Sequence, residues 1–90
     1  MARAKYRLTF YPSAEVRLDP FEFAWLLAKH YVEVIGKEPT KPVLHVRAMY
    51  PEQIERFAND VNRMDGPLIF EKIEVATPKG FAEYEFGGVQ

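Results

Sequence analysis

Two stretches of this chain alternate apolar and polar residues without a break, and a helix-opening signal comes after each of them. Residues 5–11 place Tyr6, Leu8 and Phe10 on one side and Lys5, Arg7, Thr9 and Tyr11 on the other. Residues 43–50 place Leu44, Val46, Ala48 and Tyr50 on one side and Val43, His45, Arg47 and Met49 on the other. A period of two is the mark of a half-buried strand. A strand with one apolar face needs a second layer to cover it, so a lone helix bundle is excluded. The covering layer is announced by Asp19-Pro20-Phe21-Glu22 and by Pro51-Glu52. Asp19 is a favoured N-cap, Pro20 suits the first helical position, and Glu22 stands three residues after the cap, as in a capping box.

The second helix is amphipathic in the ordinary way. Ile54, Phe57, Ala58, Val61 and Met64 form one apolar stripe, and charged or amide side chains cover the rest. Residues 68–76 read as a strand whose phase shifts midway, which a bulge near Glu71-Lys72 reconciles. Thr77-Pro78-Lys79-Gly80 then turns the chain into a final strand, residues 81–86, as a hairpin. The first helix has two readings. It runs to Ile35 with Gly36 as its stop, or it ends near His30 and Tyr31 to Ile35 is a strand. The second reading gives β-α-β-β-α-β-β, which contains the ferredoxin-like unit. The expected fold is α+β: a two-layer sandwich with two helices on one face of a mainly antiparallel sheet of four to five strands, ferredoxin-like or related.

Ninety residues suit one small domain, 1–90, and the chain has no cysteine. Disulfides, thiolate metal sites and a cysteine nucleophile are therefore excluded, and the core must hold without staples. The formal net charge is −1, unlike the basic balance of most dedicated nucleic-acid binders. No long uncharged apolar run suggests a membrane span and no signal-peptide pattern opens the sequence, so a cytoplasmic protein is expected. The amides are few (Gln53, Asn59, Asn62 and Gln90), and prolines stand at turns. Both features fit a thermophile.

The octapeptide Lys79-Gly80-Phe81-Ala82-Glu83-Tyr84-Glu85-Phe86 resembles the aromatic signature of RNA-recognition domains, K/R-G-F/Y-G/A-F-V-x-F/Y. The resemblance covers eight residues and implies bases stacked on sheet aromatics. It departs from the family at Tyr84, where an aliphatic is usual, and at Glu83, where the family carries an exposed aromatic. In the family a helix and a further strand follow this segment; here only residues 87–90 do. The plain reading has Ala82, Tyr84 and Phe86 packing inward, with Phe81, Glu83 and Glu85 outward.

The sheet face away from the helices gives a second pointer. Lys5, Arg7, His45 and Arg47 share it with Tyr11 and Met49 nearby. Basic residues interleaved with an aromatic can track RNA or single-stranded DNA. The competing expectation is that Glu71 or Glu74, Glu83 and Glu85 pair with those cations from neighbouring strands.

The first helix gives the third. Over Phe21 to Ile35 its polar residues are only Glu22, Lys29, His30 and Glu33. Phe23, Leu27, Tyr31 and Val34 lie on one side of the apolar arc, and Phe21, Trp25, Ala28, Val32 and Ile35 on the other. The arc spans roughly 200°, where a surface helix needs a little over 100°. A two-layer domain buries one side only. The surplus marks Phe21, Trp25, Ala28 and Val32 as a protein interface, serving a homo-oligomer or an accessory subunit. The polar side lacks the Lys/Arg enrichment of membrane-surface helices.

Catalysis finds little to stand on. His30 and His45 lie on different elements with no ligand-spaced neighbour, which argues against a metal. His30 is expected to snorkel at the helix end, and His45 to lie on the sheet surface. Ser13 stands alone in a turn, and no Gly-rich phosphate loop precedes a helix. The expectation is a non-enzymatic module without a cofactor. Protein binding leads, nucleic-acid binding follows, and small-ligand sensing by fold analogy is a third reading.

Overall fold

The computed structural model describes residues 4–11, 19–64 and 70–84. They form β1 (Ala4–Phe10), α1 (Pro20–Lys29), β2 (Glu33–Lys37), β3 (Val43–Ala48), α2 (Pro51–Met64), β4 (Phe70–Thr77) and β5 (Gly80–Glu83). The strands make one sheet in the order β2-β3-β1-β4-β5, every neighbouring pair antiparallel. The first four strands and both helices follow the β-α-β-β-α-β order of the ferredoxin-like unit. β5 adds a fifth strand at the β4 edge, so the sheet departs from the plain ferredoxin-like order. The expected α+β sandwich is what forms.

The core lies between the sheet and the helices. Tyr6, Leu8 and Phe10 from β1, and Leu44, Val46 and Ala48 from β3, meet Ile54, Phe57, Ala58 and Val61 of α2. Four rings tie the layers together. Phe10 lies 5.1 Å from Phe70 and 6.0 Å from Phe23, and Phe57 lies 5.4 Å from Phe23, centroid to centroid. These are favoured tilted or edge-on separations. The shifted phase of β4 resolves as expected. Thr9 pairs with Lys72 and Phe10 with Phe70, leaving Glu71 as the extra residue. Phe70 and Ile73 therefore both face the core. The hairpin into β5 turns at Pro78-Lys79, with Thr77 opposite Gly80 at φ 115. Leu68, Glu85 and Phe86 lie outside the described residues.

α1 is the short version of the two readings. Asp19 caps it by accepting from the Phe21 amide at 2.9 Å and the Glu22 amide at 3.4 Å. At the other end the Tyr31 N–H donates to the Ala28 carbonyl, and the Val32 N–H donates to the Leu27 carbonyl. That pair of bonds is the Schellman ending, which turns the chain through a left-handed residue. Gly36 is thus not the helix stop. It lies in β2, next to a bulge at Ile35. Gln53 braces the turn by donating to the His30 carbonyl at 3.0 Å while accepting from the Tyr50 amide.

The left-handed residue is Tyr31, at φ 56 and 82% exposed. A Cβ in that conformation costs roughly 1–2 kcal/mol, which glycine escapes. Tyr31→Gly is therefore expected to raise stability by about 1 kcal/mol in urea denaturation. Unchanged or lower stability would show that the Tyr31 ring has a packing role outweighing its backbone strain.

Candidate interaction surface on the first helix

Because α1 ends at Lys29, its residues divide into two stripes, each at i, i+3, i+4, i+7. Phe23, Leu26, Leu27 and the cap residue His30 are buried or half-buried, and Leu26 joins the core. On the opposite side Phe21, Ala24, Trp25 and Ala28 are all exposed. Phe21 is 85% exposed and Trp25 61%. Three of the four expected interface residues thus stand together. The fourth, Val32, does not. It lies past the helix end and is 5% exposed, buried in the core by the Schellman turn. Ala24 belongs to the surface in its place. Its i+3 spacing from Phe21 was legible, but a small side chain carries little weight on a helical wheel.

The stripe has a charged flank. A groove of about 360 Å³ between α1 and α2 is lined by Glu22, Trp25, Leu26, Lys29, Asp60 and Arg63. Lys29 Nζ lies 5.3 Å from the Trp25 ring centroid and 3.5 Å from Asp60. Asp60 also accepts from His30 Nε2 at 2.7 Å and lies 3.7 Å from Arg63. The His30 hydrogen bond, helped by Lys29, holds the Asp60 carboxyl below its ordinary pKa. His30 therefore does not snorkel outward. It is largely covered and locks α1 to α2.

The open sheet face has the composition expected of it but not a free cationic track. Lys5 lies opposite Arg47, and Arg7 opposite His45. Arg7 donates through Nε and Nη2 to both oxygens of Glu74, at 2.8 and 3.0 Å. Its guanidinium also sits 4.3 Å from the centroid of the Phe81 ring. Arg47 pairs with Glu33 at 2.8 Å, and His45 donates to Glu38 at 3.1 Å. Tyr11 stands exposed one residue past β1. The cross-strand pairing thus uses Glu74 as expected, together with Glu33 and Glu38 rather than Glu83.

On β5 the residues of the octapeptide divide. Phe81 does face outward and covers Arg7, whereas Ala82 is exposed at the uncovered edge rather than packed inward. Tyr84 does turn toward the helices. Its hydroxyl donates to Glu55 at 2.9 Å, and burial with that bond pushes its pKa up to about 12. A second hollow of about 320 Å³ on the open face is lined by Arg7, Thr9, Glu38, Lys41, Lys72 and Glu74, among others. Its cations and carboxylates are mixed, so it has no single ligand charge.

Among the described residues no group of three or more histidines, aspartates or glutamates is placed to hold a metal. No helix among them is long and apolar enough to cross a membrane. Comparison of the chain with protein-family models, with curated proteins and with solved structures returned no match.

Proposed function

We propose that this chain is a non-catalytic protein-interaction module that works through the outer stripe of α1, as a homo-oligomer or as an accessory subunit. The observation that carries this reading is the exposure of Phe21 and Trp25 one helical turn apart, beside Ala24 and Ala28. Large aromatic side chains left in water on one helix face are a cost the fold itself does not require, and such contiguous patches mark interaction sites. Tryptophan at the middle of a stripe is the residue type that anchors interfaces. Nucleic-acid binding on the open face has less support, because Arg7 and Arg47 are already held by carboxylates.

The test uses a photo-crosslinking phenylalanine analogue at Phe21 in cells producing the full chain. An adduct that disappears on Trp25→Glu is expected, with the variant keeping its far-ultraviolet circular dichroism. Absence of any adduct, or one indifferent to Trp25→Glu, overturns the reading. Because Trp25 lies outside the core, Trp25→Glu is expected to change folding stability by no more than about 0.5 kcal/mol.

A further inference from the structure

We propose that the occupant of the α1 stripe is a second copy of this chain, packed antiparallel about a twofold axis that passes beside Trp25; this deepens the interaction reading and rests on it. The stripe is self-complementary when reversed about residue 25. The large Phe21 of one copy falls over the small Ala28 of the other, and the two Trp25 rings meet near the axis beside Ala24. A twofold pairing requires one patch to serve as both partners.

The charges obey the same reversal. Glu22 and Lys29 lie on one flank of α1, since both line the groove toward α2. A twofold axis in the plane of the contact keeps that flank on the same side, so Glu22 of each copy meets Lys29 of the other. The Lys29 end of the groove has a surplus of cations. Lys29 and Arg63 both lie within ion-pair distance of the one carboxylate of Asp60, which also accepts from the His30 ring. The Glu22 carboxylate of a second copy supplies the missing anion. A parallel twofold pairing, with its axis along the helices, would carry the two flanks to opposite sides of the contact and leave Glu22 and Lys29 of the two copies unable to meet.

The patch also sets the strength. Phe21 and Trp25 offer roughly 300 Å² per copy between them, well short of the ~800 Å² per partner of a standard stable interface. The dimer is therefore weak and reversible, visible by its concentration dependence.

Single cysteines in this cysteine-free chain read the geometry. In the antiparallel pair, residue 24 and its mate are offset along the helix by about 3 Å and residue 28 and its mate by about 9 Å. A disulfide reaches no further than a Cα separation of about 7 Å. Under oxidation Ala24→Cys is expected to give a covalent dimer and Ala28→Cys to remain monomeric. Sedimentation of the unsubstituted chain is expected to show a reversible monomer–dimer equilibrium. Glu22→Lys should weaken it about three- to tenfold, and mixing Glu22→Lys with Lys29→Glu should restore it, because that mixed pair forms both contacts, one in the original sense and one reversed. Equal cross-linking at 24 and 28 overturns the antiparallel arrangement. A strict monomer at every concentration with no cross-link at 24 overturns the second copy. In that event a heavier Trp25-dependent adduct from position 21 leaves the interaction reading standing, and no adduct removes both.

Discussion

Phe57→Ala is expected to cost about 3–5 kcal/mol of folding stability, the largest effect of any single change considered. Phe57 is fully buried in α2 and its ring lies against Phe23 of α1 and Phe70 of β4. Removing it takes away transferred apolar surface and opens a cavity where α1, α2 and β4 meet. A domain of this size has roughly 5–13 kcal/mol to lose, so the variant is expected to be close to unfolded at physiological temperature. Urea denaturation at low temperature is the measurement, read as a fall in midpoint with the slope unchanged. Phe21→Ala is the internal contrast. It is an identical substitution on an 85% exposed ring, and its expected cost is that of a surface change, within about 0.5 kcal/mol. Similar losses at the two positions would mean that α1 is oriented differently on the sheet.

The second large effect belongs to the Arg7–Glu74 pair. Glu74→Ala is expected to cost about 2–3 kcal/mol, because it strands a guanidinium that holds two charge-assisted hydrogen bonds. The Arg7 side chain keeps 31% exposure, which holds the loss below that of a wholly buried break. The double variant Arg7→Met/Glu74→Leu is expected to recover most of the loss, since apolar side chains leave no uncompensated charge beneath Phe81. A double variant as unstable as the single would show that the Phe81 stacking on Arg7, rather than the ion pair, supplies the stability.

The same pair fixes a pH dependence. Hydrogen bonding from Arg7 holds the Glu74 carboxyl below its ordinary pKa, and His30 does the same for Asp60. A carboxyl whose folded pKa is depressed stabilises the fold fully above its unfolded pKa, near 4–4.5. That contribution is lost as pH falls through the lower folded value. Stability is therefore expected to fall on acidification through and below the usual carboxylate range, with a shallower fall in the Arg7→Met/Glu74→Leu variant. An identical acid limb in both proteins would remove Glu74 from the cause.

Local chemistry carried much of this fold. The alternation of Tyr6, Leu8 and Phe10 and of Leu44, Val46 and Ala48 named the buried face residue by residue. The phase break between Phe70 and Ile73 located the bulge, because side-chain direction in a strand alternates strictly and one inserted residue is the simplest repair. Asp19 and Pro20 marked the helix start, since caps act over three or four residues and leave a local signature.

The end of that helix was not local in the same sense. Tyr31, a poor candidate for a left-handed turn, takes the position because Val32 gains a place in the core and Gln53 of α2 braces the turn. That is a tertiary gain exceeding a backbone cost, and periodicity alone cannot weigh one against the other. Val32 went to the wrong surface for this reason. The partners of Arg47 and His45 were equally out of reach, because Glu33 and Glu38 arrive through β2, which the longer helix would have abolished.

The sequence by itself determined that the first helix carries more apolar surface than a two-layer domain of ninety residues needs for its own core. Only the tertiary structure decided which side of α1 turns inward, because that choice rests on how Phe23, Leu26 and Leu27 fit against the sheet and α2. By placing them inside, the packing left the outer stripe in water and edged it with Glu22 and Lys29, the arrangement on which the proposed self-pairing rests.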